Sequence, residues 1–143
     1  MYICGGWNSD KKFQDMFVLD LNVEDTESLT WDVIPKSCLI QPTWNHSLCS
    51  IDNFMFIFGG TQSNKKEVED NEEDVFGVHY SNDLIIYDAV ECQREKYTLK
   101  DHECMPKRLC NLSMTYYPKE SIIYFFGGWS NTWHSDLFSL KIN

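Results

Sequence analysis

Residues 121–128 read Ser-Ile-Ile-Tyr-Phe-Phe-Gly-Gly, an apolar run that stops at two adjacent glycines. No polar residue alternates within the run, so a strand made from it is buried on both faces. Its β-branched and aromatic side chains favour strand over helix. Glycine, lacking Cβ, enters φ > 0 without penalty, so a pair of glycines ends the strand and turns the chain where a side chain would clash. The pattern recurs at residues 53–60, Asn-Phe-Met-Phe-Ile-Phe-Gly-Gly, and at residues 1–6, Met-Tyr-Ile-Cys-Gly-Gly. Three occurrences, ending at Gly5-Gly6, Gly59-Gly60 and Gly127-Gly128, make a repeat.

The chain between the copies fits the same scheme. The first strand covers residues 1–4, and a polar loop opens at Trp7. Strands follow at residues 15–20 and 30–34, and Pro35 closes the second of these because proline cannot donate to a ladder. An inner strand at 46–51 turns at Asp52-Asn53 into the second glycine-pair strand. Residues 61–81 hold an acidic run at 67–74 too polar to bury, which reads as a mobile surface loop. Strands follow at 83–88 and 95–99, then at 110–117, a turn at 118–120, and a last strand at 136–140. No segment keeps a 3.6-residue apolar period over three turns, so almost no helix is expected. Each glycine pair leads to an Asp-initiated strand, at Asp15, Asp83 and Asp136, and the repetition suggests a turn role for that aspartate.

With 143 residues the chain is long enough for one domain. Its net charge of −10 repels phosphate and argues against nucleic acid or an anionic membrane as partner. No apolar stretch approaches the roughly 20 residues of a spanning helix, and no signal peptide is visible. The six cysteines show no Cys-x-x-Cys spacing, and several sit in apolar runs. They read as free thiols in a reducing, cytoplasmic setting, with one or more bridges as the alternative.

The glycine pairs start at positions 5, 59 and 127. Once the acidic insertion is removed, both periods approach about 50 residues, the length of a kelch blade. The sequence resembles the kelch-repeat β-propeller family, whose blade has an inner strand, a second strand ending in Gly-Gly, a third ending in aspartate and an outer strand with tryptophan. Asp20 and Asp88 match the third-strand aspartate, while Lys141 departs from it. Trp31 matches the outer tryptophan, and Tyr97 replaces it in the next unit. Arg108 matches an arginine before the inner strand, with Asn111 in place of the family's histidine. His46 matches that histidine, with Thr43 in place of the arginine. The resemblance implies an all-β fold, a kelch-type β-propeller fragment of four-stranded antiparallel blades. The divisions are an incomplete blade at 1–35, a complete blade at 46–99 carrying the acidic loop 61–81, and an incomplete blade at 109–143. Two and a half blades do not close, so further kelch blades are expected from the same or another chain, and the chain alone is expected to be unstable or to self-associate.

Gly5, Gly6, Gly59, Gly60, Gly127, Gly128, Trp31, Tyr97 and His46 read as structural positions. His79, His102 and His134 fall in links and loops, and His102-Glu103-Cys104 has no second ligand cluster at metal spacing. The triplets Asn45-His46-Ser47 and Asn111-Leu112-Ser113 match the glycosylation pattern but fall at inner-strand starts, where a glycan would collide with the fold. Trp7 and Trp129 each follow a glycine pair directly, and Trp133 shares the last loop. With Arg108 they are the candidates for binding a partner; the alternative is that the rings cap the seam between blades. No catalytic residue, metal or cofactor is expected. The function implied is a non-catalytic protein-interaction scaffold or adaptor binding another protein. The alternative is a kelch-propeller enzyme with a metal or small-molecule site in the central channel. Tyr2, Cys4 and His46 are the residue types of a copper-oxidase site, but their positions do not resemble one.

Overall fold

A computed structural model of the chain describes residues 1–23, 25–35, 43–63, 78–99 and 104–142. It divides into two compact units, Met1–Trp44 and Asn45–Asn143. The first holds β1 (Tyr2–Trp7), β2 (Lys12–Leu19), β3 (Trp31–Val33) and the two-residue β4 (Thr43–Trp44). β1, β2 and β3 form an antiparallel sheet in that order. Among the described residues the helical content is a single 3-10 turn, Thr26–Ser28, capped by the Asp25 carboxylate. That agrees with the absence of a helical period.

The glycine pair of this unit behaves differently from the sequence reading. β1 does not end at Gly5-Gly6 but runs on to Trp7. Gly5 and Gly6, at φ 64° and 115°, take up a bulge. Cys4 pairs with Met16, Gly6 re-pairs with Phe13, and the register slips between them. Trp7 therefore ends a strand instead of opening a loop. The hairpin that follows is closed by Asn8, whose side-chain oxygen accepts from the backbone of Asp10 and Lys11.

The second unit holds β5 (Ser47–Ile51), β6 (Phe54–Phe58), β7 (Thr61–Ser63), β8 (Val78–Tyr80), β9 (Asp83–Asp88), β10 (Gln93–Thr98), β11 (Ser113–Tyr117), β12 (Ile122–Phe126) and β13 (Leu137–Lys141). One antiparallel sheet has the order β10-β9-β6-β5 and another β11-β12-β13. Four strands are thus present in one sheet, and the sheets of β1 and β12 have three each. The turn at Asp52 falls where expected, with φ 51°, whereas the turn expected at 118–120 extends to Ser121, which takes φ 55°. After β9 the Asp88 carboxylate accepts from Val90 and Glu91 backbone amides, and after β2 Asp20 does the same for Asn22. These Asx turns give the third-strand aspartate its physical reason.

Further sequence expectations are corrected. Residues 61–81 are not loop throughout: β7 pairs with β8, and Thr61 and Ser81 are buried. The backbone there is held, Ser81 N–H donating to Gly60 O at 2.9 Å. The acidic run at 67–74 lies outside the described residues, as do Cys38, His102 and Glu103. His79 lies on β8 and not in a loop. Cys110 lies outside the inner strand, because Asn111 takes φ 54° and breaks it. Asn45 does the same at φ 57°, and the strands start at Ser47 and Ser113. Ser47 pairs with Phe58 as Ser113 pairs with Phe126. The position equivalent to Asn111 is therefore Asn45, and His46 corresponds to Leu112. The three strand-initial aspartates do not share one turn role. Asp15 sits inside β2, Asp136 is exposed before β13, and Asp83 is buried in cross-strand contacts.

The core lies between the two large sheets of this unit. Phe56, Phe58 and Leu84 from one meet Ile123 and Phe125 from the other, with Leu109 and Leu112 between them. Phe58 and Phe125 meet edge-on with centroids 5.2 Å apart, the arrangement aromatic quadrupoles favour.

Candidate functional site: the loop end of the second unit

The glycine pairs position this region. Gly60 N–H donates to Leu109 O at 2.8 Å, and Leu109 N–H donates to Ser81 O at 3.1 Å. A Cβ on Gly59 would stand 2.5 Å from Leu109 O, so only glycine lets the link before β11 lie against the end of β6. In the next copy, Trp129 and Cys110 exchange backbone hydrogen bonds at 2.8 and 3.0 Å. His134 N–H returns to Gly128 O at 3.0 Å. Ser130 Oγ and His134 Nε2 are hydrogen-bonded across 2.7 Å and clip the loop. Asp136 stands 3.9 Å from His134 Nδ1, beyond hydrogen-bond length, so the serine and histidine act as a loop tie.

The clipped loop presents Trp133, 73% exposed, with its ring 4.9 Å from that of half-buried Trp129 at 63°. Tyr80 Oη donates to Asn131 Oδ1 at 3.4 Å. On the same β8, His79 Nε2 lies 2.8 Å from Arg108 Nη1. Guanidinium only donates, so Nε2 is the acceptor in this contact. Trp129, Trp133 and Arg108 are thus brought to one end of the unit, Arg108 through His79, Tyr80 and Asn131. Sequence reading missed these three connecting residues. His79 and Tyr80 were hidden at the end of the acidic segment. Asn131, between two tryptophans in a short loop, was the available signal.

Trp7 belongs to the first unit and is 53% exposed, with Trp44 at 6.1 Å between ring centroids. Lys12 Nζ lies 4.5 Å from the Trp44 ring centroid, a cation–π contact. Trp31 and Tyr97 are exposed on β3 and β10, and Tyr97 Oη donates to the Glu95 carboxylate. His46 is half-buried next to β5, and burial lowers its pKa. Burial pushes the Cys4 and Cys49 thiols up to about 11 and raises Cys110. These thiols stay protonated at neutral pH, which suits packing and not nucleophilic attack. Among the described residues no three His, Cys, Asp or Glu side chains gather as a metal-ligand set, and no helix is long and apolar enough to cross a membrane.

The comparisons with known proteins agree with this architecture. The family model described as the KLHDC2/KLHL20/DRC7 Kelch-repeats domain matches residues 1–143. The chain belongs to the Kelch-repeat family, and membership generally implies protein–protein interaction. Among solved structures, one titled "Structure of YjhT" is similar in fold at TM-score 0.59 and 17% identity, covering 87% of this chain. The chain spans 33% of that solved chain. No curated protein matches.

Proposed function

We propose that this chain is a non-catalytic kelch-type interaction module, a scaffold or adaptor acting in the cytoplasm, that binds another protein through the loop end of its second unit. The observation that carries this reading is Trp133. It is a large ring left mostly in water, yet held edge-on against Trp129 in a loop clipped by Ser130 and His134. A rigid aromatic with little conformational entropy left to lose is the usual anchor of an interface. Arg108 adds a planar donor on the same end, suited to carbonyl or carboxylate groups of a partner.

The test is quantitative cross-linking in cells, comparing the wild-type chain with Trp133→Ala and Arg108→Ala at matched expression. Loss of the same cross-linked protein from both variants supports the reading. A set of partners unchanged by either would remove this surface from consideration. The enzyme alternative has its own readout. Stoichiometric copper or zinc on the purified protein, lost on substituting His46, would replace the scaffold reading with a channel-site enzyme.

A further inference from the structure

We propose that Arg108 and His79 form a proton-coupled anion site: when a carboxylate of the bound partner reaches Arg108, His79 takes up a proton from water and changes from the acceptor of Arg108 into a second donor to the anion. The proposal rests on the interaction reading above and adds a pH dependence to it. It starts from the company Arg108 keeps. The chain has a net charge of −10, and on β10 the cation Lys96 lies 2.7 Å from the Asp83 carboxylate. Arg108 is exposed, and among the described residues no carboxylate pairs with it. Its partner there is the His79 ring, Nη1 to Nε2 at 2.8 Å. A guanidinium carries five N–H donors in a planar fork that matches a carboxylate, so a single contact to imidazole leaves most of the fork open.

The backbone holds both halves of the pair in place. Leu109, next to Arg108, is buried and is bonded on both sides, to Ser81 O and from Gly60 N–H. β7 pairs with β8 and sets Gln62 opposite His79. The contact itself exists in one protonation state only. Nε2 accepts while it carries no proton, whereas an imidazolium donates from both nitrogens and would face the guanidinium as a second cation. An anion seated between the two offsets that repulsion and accepts a charge-assisted hydrogen bond from each. Imidazole is the side chain whose charge changes in the range where this matters. Among the described residues the other charged or titratable groups on the surrounding segments are few. β7 carries none (Thr61, Gln62 and Ser63), and Lys107 stands beside Arg108 in the link. Tyr80 on β8 is bonded to Asn131. The loop reached through Asn131 carries His134, tied to Ser130, and Asp136 beside it. The one contact in which an imidazole nitrogen must change from acceptor to donor to serve an anion is that of His79 with Arg108.

Sulfate is the probe, an oxyanion whose charge is the same at pH 7.5 and pH 5.5. NMR on the labelled full chain follows the Arg108 Nε–H and the His79 ring through a sulfate titration at both pH values. The expectation is binding about tenfold tighter at pH 5.5, because proton and anion favour each other reciprocally. His79→Gln keeps a neutral hydrogen-bonding side chain and should bind sulfate with the same affinity at both pH values, which also separates the effect from any titration of His134. Arg108→Gln should lose binding at both. Wild-type affinity that does not change with pH overturns the proposal, as does a His79→Gln variant that keeps the wild-type pH dependence, or sulfate that leaves Arg108 and His79 unshifted. The cross-linking test of the partner reading is run at one pH, so the two can fail separately. Cross-links lost in both variants together with pH-independent sulfate binding overturn the proton coupling and leave the interaction surface. Proton-coupled sulfate binding with unchanged cross-links keeps the anion site and removes the partner from it.

Discussion

Gly5-Gly6 and Gly59-Gly60 are the same dipeptide after the same kind of apolar run, and they do different work. Both pairs take positive φ. At Gly59 the space is gone: a Cβ would lie 2.5 Å from Leu109 O and 3.1 Å from a Leu112 methyl. The strand ends there because the chain before β11 lies against it. At Gly6 a Cβ would meet nothing within 4 Å, and β1 passes through the pair as a bulge. The dipeptide supplies the backbone freedom, and the neighbours decide whether it becomes a seam or a kink within a strand. The phenylalanines show the same contrast: Phe58 is sealed by a neighbouring sheet, and Phe126, in the same register, is half in water.

Alanine at the two glycines should break this comparison most visibly. Gly59→Ala combines a φ of 70° with overlap onto backbone and should cost about 4 kcal/mol. Gly6→Ala carries backbone strain alone, about 1–2 kcal/mol. Urea unfolding of the two variants measures the difference, and equal losses would mean that the Leu109 contact does not matter. Next in size is the phenylalanine pair. Phe58→Ala removes a buried ring facing Phe125 and should cost about 3–4 kcal/mol. Phe126→Ala should cost less than about 1 kcal/mol in dilute monomer.

These contrasts also mark what was legible in the sequence. Apolar runs ending in Gly-Gly placed β6 and β12 and ended them correctly, because backbone freedom and strand propensity are local. The Asx turns after β2 and β9 were not legible: a turn role was expected of Asp15, Asp83 and Asp136, whereas Asp20 and Asp88, named only through the family resemblance, make the turns. What failed depended on the surroundings. Whether Trp7 ends a strand turns on the bulge register opposite Phe13, which no spacing reveals. The equivalence of Asn45 with Asn111 was visible in the repeated Asn-x-Ser triplets, but these were weighed only as glycosylation patterns. Both asparagines in fact take the left-handed φ that a short polar side chain tolerates. At the loop end the tryptophans were legible by type, whereas the ties through His79, Tyr80 and Asn131 join segments distant in sequence.

Asp83 and Asp136 extend the comparison to charge. Asp83 opens β9 and Asp136 immediately precedes β13, yet Asp83 is buried with Lys96 Nζ at 2.7 Å and Thr98 Oγ1 at 2.6 Å. Burial alone would raise its pKa, but the hydrogen bonds from Lys96, Thr98 and Ser81 and the Lys96 charge outweigh it, and the net shift is downward. A depressed carboxylate adds stability above its ordinary pKa of 3.8, which is lost as pH falls through the folded value. Asp83→Asn should cost about 2 kcal/mol at neutral pH and flatten the acid limb of the stability profile below about pH 4. Asp136→Asn, at an exposed position, should leave the stability at neutral pH nearly unchanged. If the two variants melt alike, the Lys96 contact contributes nothing.

The smallest expected effect separates His46 from its structural counterpart Leu112. Both stand one residue before an inner strand, but only His46 can take up a proton. Burial lowers its pKa below the ordinary 6.5, so the unfolded chain binds the proton more readily than the folded one. Stability is then full above about pH 6.5 and declines as pH falls from there toward the folded value, the opposite sense to a histidine that gains an acidic partner. Thermal midpoints of wild type and His46→Gln, compared at pH 7.5 and pH 5.5, isolate this term. The wild type should lose slightly more than the variant on acidification. A wild type that gains stability relative to His46→Gln between those two pH values would show that the imidazolium, not the neutral ring, is the form the fold prefers.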